Sequence, residues 1–234
     1  MSIYKDIWLS DLIGKDVFSI ESSSLDELKK INTNIKNSFI FSKLQFERKN
    51  DLQWFFNNDF RLIDINVTLE MPIHKIDSNK LYKKYSYEKV SSNNLIRAQS
   101  IAKNAFIYDR FHSDPEIDNH IASNIKSEWV KSYLDGNRGD LGIVSTNSDG
   151  SLTGFLLIIL QNKTCIIDLI AVDSLFRGMG VASYLISLIP TLFQNIGLEN
   201  VKVGTQLSNI NSIALYNKMG FRIVSQNFML HKHS

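Results

Sequence analysis

Several things are scarce in this sequence, and each scarcity excludes something. There is one cysteine in 234 residues. Cys165 therefore has no intrachain partner, which fits a reducing cytoplasm. Its apolar neighbours make it a small core residue rather than a nucleophile. No apolar run approaches a membrane span: the longest, residues 155–160, falls far short of the roughly 20 residues required. An excess of one charge is also missing. Lys and Arg number 26 against 24 acids, a net +2, too balanced for a nucleic-acid or membrane-surface binder. The lysine-bearing stretch 80–84 then reads as a solvated face. The opening residues MSIYKDIW lack the charged start and apolar core of a signal peptide, so a cytoplasmic protein is expected. Repeats and low-complexity tracts are lacking, while 44% hydrophobic residues suffice for a sizeable core.

What is present concentrates between residues 165 and 196. Residues 165–172 are almost wholly apolar and β-branched, the pattern of a buried strand. Residues 172–182, V-D-S-L-F-R-G-M-G-V-A, form a glycine-bearing loop. Apolar side chains then recur at 181, 185, 189, 192 and 196, which is helical spacing. A strand, a glycine turn and a helix start make an anion site, because the free amides and dipole of the first helical turn converge there. A P-loop is excluded, since no Lys-Ser or Lys-Thr follows the glycines. A dinucleotide fingerprint is excluded too, because Ser183 stands where its third glycine belongs. Pro190 removes one backbone hydrogen bond and should kink or split the helix.

A second segment, residues 201–221, supports the first. Val201, Val203 and Thr205 alternate as in a strand. Asn209 or Asn211 offers an N-cap for a helix carrying Ala214, Leu215 and Tyr216, closed by Gly220. The patterns R/Q-x-x-G-x-G/A at 177–182 and N-x-x-A-L-Y-x-x-x-G-F at 211–221, in that order, resemble the GCN5-related N-acetyltransferase (GNAT) superfamily. That resemblance implies an α/β (α+β) fold with a central mixed, mostly antiparallel sheet flanked by helices. It implies acetyl-CoA as co-substrate and no metal. The cofactor would be held by Ile170, Ala171, Val172, Arg177, Gly178, Met179, Gly180, Val181, Ala182, Ser183, Asn211 and Tyr216. Tyr216 would also be the general acid, since a phenol stays protonated at neutral pH and is only a slightly weaker acid than the departing thiol.

The rest of the chain divides at a linker of Pro72 and the polar residues 74–79. Residues 1–78 read as a small N-terminal α/β domain: strands at 16–21, 39–46 and 61–70, a serine-capped helix over 24–34 with Leu25, Leu28 and Ile31 on one face, and a short helix over 51–58. Residues 84–234 read as the acetyltransferase domain. Its expected strands are 85–90, 141–146, 152–161, 164–172, 201–206 and 221–231. Its expected helices are 94–105, a region 115–134 with Trp129 on its apolar face, and 211–219.

For the acceptor, the run Arg110-Phe111-His112-Ser113-Asp114-Pro115 and the Gly204-Thr205-Gln206 turn with Asn211 resemble the TDP-fucosamine acetyltransferases. This implies transfer to the amino group of a nucleotide-linked, TDP-bearing 4-amino-4,6-dideoxy sugar, with Arg110, His112, Asp114 and Gln206 binding that substrate. A backbone amide of strand 168–172 would meet the developing oxyanion. Asp168 is the candidate base if it faces the cleft; a charge in an apolar strand otherwise demands a salt bridge. Without it, a water chain removes the amine proton. Other members of the superfamily act on protein N-termini, lysines or polyamines, and a non-catalytic CoA-binding module is the rival of a different class. The N-terminal unit is open between building the acceptor site, a homodimer interface, and neither.

Overall fold

A computed structural model describes residues 2–78 and 84–234. The end of the expected linker and most of the lysine-bearing stretch 80–84 lie outside the described residues. The chain runs β1 (Ser2–Lys5), α1 (Ile7–Ile13), β2 (Asp16–Glu21), α2 (Leu25–Leu28), β3 (Ser38–Gln45), α3 (Leu52–Asn57), β4 (Arg61–Pro72), β5 (Tyr85–Lys89), α4 (Leu95–Ala105) and α5 (Asn119–Leu134). It continues through β6 (Leu141–Asn147), β7 (Leu152–Gln161), β8 (Thr164–Val172), α6 (Val181–Ser187), α7 (Ile189–Leu192), β9 (Asn200–Gln206), α8 (Ile210–Met219) and β10 (Arg222–His233).

Local chemistry explains most boundaries. Asp6 caps α1 by accepting from the Leu9 amide, and Gly14 ends it at φ 80°, where only glycine is free of strain. This short helix and β1 before it were not anticipated. The helix expected over 24–34 stops after one turn: Ser24 caps it as foreseen, but the Asn32-Thr33-Asn34 run that follows has poor helix propensity. Pro190 splits the motif helix as anticipated, leaving α6 and α7 on either side of Leu188.

All ten strands of the described residues join one sheet in the order β1-β2-β3-β10-β4-β9-β8-β7-β6-β5. Only β2–β3 and β8–β9 are parallel; the rest is antiparallel, which makes the sheet mixed and mostly antiparallel as expected. The sheet does not divide at residues 78/84. The N-terminal β4 is inserted between β10 and β9, and β3 pairs with β10. Val67, Leu69 and Met71 of β4 are fully buried with Val203, Tyr216 and Phe221, so the first 78 residues help build the main core.

Helices cover both faces. One face carries α6, α7 and α8 over Leu156, Cys165, Ile167, Val201 and Val203. The other carries α4 and α5 over Val144, Phe155, Leu157, Leu169 and Ala171. Residues of β8 change sides along its length. Cys165 and Ile167 belong to the first core, but Leu169 and Ala171 to the second. The cause is a bulge: Leu157 pairs with Leu169 while Ile158 pairs with Ile167, leaving Asp168 as the extra residue. One inserted residue reverses which side chains face which layer.

Candidate active site

The two parallel strands β8 and β9 pair only from Thr164↔Asn200 to Ile167↔Val203. Beyond that point β8 follows β7 to Val172 and β9 follows β4 to Gln206. The sheet opens between them, and a cavity of about 1280 Å³ occupies the opening. It is reached from both faces. Tyr216, Ser212 and Leu215 of α8 line it from one side, and Trp129, Lys126 and Arg110 from the other.

The glycine loop lies at its rim. Gly178 and Gly180 have φ of 75° and 87°, the left-handed region that the turn requires. Gly180 precedes the first turn of α6, and its carbonyl accepts from the Tyr184 amide. The amides of Gly180, Val181, Ala182 and Ser183 have no backbone acceptor among the described residues, as an anion cradle needs. Arg177, Gly178, Gly180, Val181, Ala182, Ser183, Ile170, Ala171, Val172, Asn211 and Gln206 all line the cavity. Met179 does not; its carbonyl instead accepts from the Tyr85 hydroxyl at 3.0 Å, which ties the loop to β5. Of the two expected caps for α8, Asn209 is the one that caps, accepting from the Ser212 amide. Asn211 is exposed at the cavity wall.

Tyr216 is buried, 4% exposed, with its ring 5.6 Å from that of Phe221. Burial pushes its phenol pKa up, so the hydroxyl stays protonated throughout the neutral range. Such a group donates a hydrogen bond, is a weaker proton donor than a free phenol, and does not act as a base.

Asp168 lines the cavity and at the same time serves as an anchor. Its carboxylate accepts from Trp129 Nε1 at 2.7 Å, the Tyr133 hydroxyl at 2.8 Å, and Arg138 Nε and Nη2 at 2.7 and 2.9 Å. Burial works to raise its pKa, but Arg138 and the Trp129 and Tyr133 donors outweigh it and hold the carboxyl below its usual range. A carboxylate so satisfied has little affinity for a further proton.

His112 and Asp114 do not line the cavity. His112 Nδ1 sits 2.6 Å from Asp109 Oδ2 and its Nε2 3.2 Å from Ser123 Oγ. Asp114 Oδ2 accepts from His231 Nδ1 at 2.6 Å and His233 Nε2 at 2.7 Å. The Lys15 ammonium, a pure donor, lies 2.9 Å from His233 Nδ1, which leaves Nε2 as the protonated nitrogen facing Asp114. Asp114, His231 and His233 form a group among the described residues whose ligand atoms lie close enough to hold a metal ion; Asp114 Oδ2 is shared by the two imidazoles, and His231 Nε2 is buried without a partner. These residues tie the loop after α4 to β10 because a buried charge must be paired.

The sequence reading missed the wall supplied by the N-terminal segment: Lys43 of β3 and Asn66 and Thr68 of β4 line the cavity. The alternation of Asn66 and Thr68 with Val67 and Leu69 was visible as a two-faced strand. That its polar face meets the opening between β8 and β9 depends on where β4 inserts.

Residues 104–221 match the model of the acetyltransferase (GNAT) family, and the chain belongs to it. Among curated proteins it is similar to the spore coat polysaccharide biosynthesis protein SpsD of Bacillus subtilis, 30% identical over 131 residues, or 56% of this chain and 45% of that protein. The chain thus spans about half the length of the curated relatives it matches. Among solved structures it resembles a functionally unknown conserved protein of Staphylococcus epidermidis, with a TM-score of 0.68 at 14% identity, covering 94% of this chain and 84% of that one. It also resembles the PaiA N-acetyltransferase of Thermoplasma acidophilum in complex with coenzyme A, with a TM-score of 0.51 at 15% identity, covering 64% and 99%. At these identities the structural likenesses show the fold alone. No helix among the described residues is long and apolar enough to cross a membrane.

Proposed function

We propose that the protein transfers acetyl from acetyl-CoA to the amine of a nucleotide-linked, TDP-bearing 4-amino-4,6-dideoxy sugar. The observation that carries this reading is the cavity itself, which runs from the glycine loop through the opening of the sheet to a chamber under α5. Five lysines and three arginines line it against three aspartates. That balance suits a phosphorylated acceptor and repels a polyamine, the principal rival. The polysaccharide-biosynthesis name of the SpsD relative points the same way.

In this mechanism the pyrophosphate of acetyl-CoA sits on the amides of residues 180–183, and the thioester lies along 168–172. The neutral amine attacks the thioester carbon, the new C–N bond forms, and the C–S bond breaks. Tyr216 supplies the proton that the departing thiolate takes up. With Asp168 and His112 both engaged elsewhere, water in the cavity carries off the amine proton. Holding amine and thioester in one cavity provides a large part of the rate, since a bimolecular encounter becomes a positioned one.

The test is thiol release from acetyl-CoA with a panel of nucleotide-linked amino sugars. Turnover with such a sugar and none with polyamines or peptides is expected. Tyr216→Phe should lower kcat about 100-fold while acetyl-CoA affinity holds. Undiminished turnover in that variant would end the general-acid assignment.

A further inference from the structure

The cations along the cavity are of two kinds. Lys126 Nζ lies 3.9 Å from Asp109, Arg138 is bonded to Asp168, and Lys202 Nζ lies 3.2 Å from Glu70. Lys43 and Arg110 have no carboxylate at ion-pair distance among the described residues. Arg110 is held by stacking instead: its guanidinium lies 3.9 Å from the Phe41 ring centre and 4.5 Å from that of Phe111. Rings hold a guanidinium by its faces and leave its N–H edge free. One nitrogen of that edge, Nη1, is buried without a partner.

Lys43 follows Phe41 by two residues on β3, so both project from the same face of the strand. Desolvation comes first, and the neighbouring positive charge of Arg110 second, in lowering the Lys43 pKa. Burial brings Arg110 down to about 10. Asp109 and Asp6 act on Arg110 from beyond ion-pair distance and offset its burial only in part, so two like charges lining one cavity remain a cost that a bound anion removes.

Asn66 adds a third open valence. Its Nδ2 donates to the Thr205 carbonyl at 3.1 Å. A carbonyl only accepts, so the amide orientation is fixed and Oδ1 is the free end. That oxygen is buried and unpartnered. A buried acceptor left open costs about 1–3 kcal/mol until a donor reaches it.

We infer that Lys43, Arg110 and Asn66 form a second anion subsite, distinct from the glycine loop, that takes a phosphate group of the acceptor. Lys43 Nζ and Arg110 Nη1 grip the phosphate oxygens, and Asn66 Oδ1 accepts from a hydroxyl or N–H of the same molecule. Lys43 and Asn66 precede residue 104, where the family match begins. Acceptor choice therefore rests partly on the segment outside that match. The inference builds on the acetyl-transfer reading and assigns its acceptor side.

Calorimetric titration of the full chain saturated with CoA tests this, since CoA fills the glycine loop first. Inorganic pyrophosphate is the probe and succinate the carboxylate comparison. Pyrophosphate should bind better than succinate, more weakly as NaCl is raised, about tenfold more weakly in Arg110→Met and about threefold more weakly in Lys43→Met. CoA affinity should be unchanged in both variants. Lys43→Met alters a side chain at the cavity wall and keeps the test decisive if Arg110→Met fails to fold. Wild-type pyrophosphate binding in Lys43→Met, no binding to the CoA complex, or preference for succinate would each overturn the subsite. No amine is present in this titration. Failure of acetyl transfer with these binding results intact would overturn the transfer reading and leave the subsite standing.

Discussion

Asp168→Asn keeps the size of the side chain and removes the charge on which four donor nitrogens and oxygens converge. A hydrogen bond to a charged group contributes about 1.5–3 kcal/mol. The two from Arg138 are discounted, because that side chain is 37% exposed and solvent screens it. The bonds from Trp129 and Tyr133 are sheltered, with the carboxylate itself 10% exposed. Asparagine can still accept at one oxygen, but its amino group then faces donors, leaving at least one N–H or O–H unpaired. The net loss comes to about 3 kcal/mol, or a Tm lower by about 6–12 °C for a chain of this length. The fold holds the Asp168 carboxyl below its usual range. Its contribution is therefore complete above the unfolded pKa and is lost as pH falls through the lower folded value. Urea unfolding of both proteins at neutral pH should show the full difference, and repeating it in increasingly acidic buffer should show the gap closing. Turnover per folded molecule should stay within about tenfold of wild type, as positioning residues can still be reached by packing. Equal urea midpoints combined with loss of turnover by a thousandfold or more would refute this account and return Asp168 to the role of base.

Two further predictions test the frame around the site. Gly154→Ala places a Cβ 2.5 Å from the Ala171 carbonyl and 3.1 Å from Val181; backbone must move, so a loss of about 1–3 kcal/mol in urea unfolding and weaker CoA binding are expected, and an unaltered midpoint would contradict the packing. Burial drives the His231 pKa from 6.5 down to about 4 despite Asp114, so the unfolded chain takes up a proton over that interval that the folded one refuses. Stability should fall as pH drops from about 6.5 toward 4, read as a falling urea midpoint that His231→Gln makes shallower.

The glycine loop and the closing helix were legible because their chemistry is local. The left-handed turn at Gly178 and Gly180, the cap by Asn209 and the split at Pro190 each depend on a few neighbouring residues. His112 and Asp114 were misplaced for the opposite reason. A histidine and an aspartate in a loop have the same local pattern whether they face a substrate or a partner 117 residues away, as His231 is from Asp114. Asp168 was legible as an alternative, cleft or salt bridge, and the structure combines them: it lines the cavity, while the bulge at that residue gives it Trp129 of α5 and Arg138 as partners.

The sequence by itself determined most of the element types from residue 84 onward, the glycine turn before α6 and the presence of Tyr216 on the helix that follows β9. All of these follow from spacing along a continuous segment, where backbone geometry converts sequence distance directly into spatial distance. Tertiary structure decided everything that depends on strand order. It placed β4 between β10 and β9, joined the first 78 residues to the main sheet, and carried Lys43 and Asn66 to the cavity that Arg110 also lines. Register between strands distant in sequence is set by how the whole set of apolar faces is buried together. No local pattern holds that information.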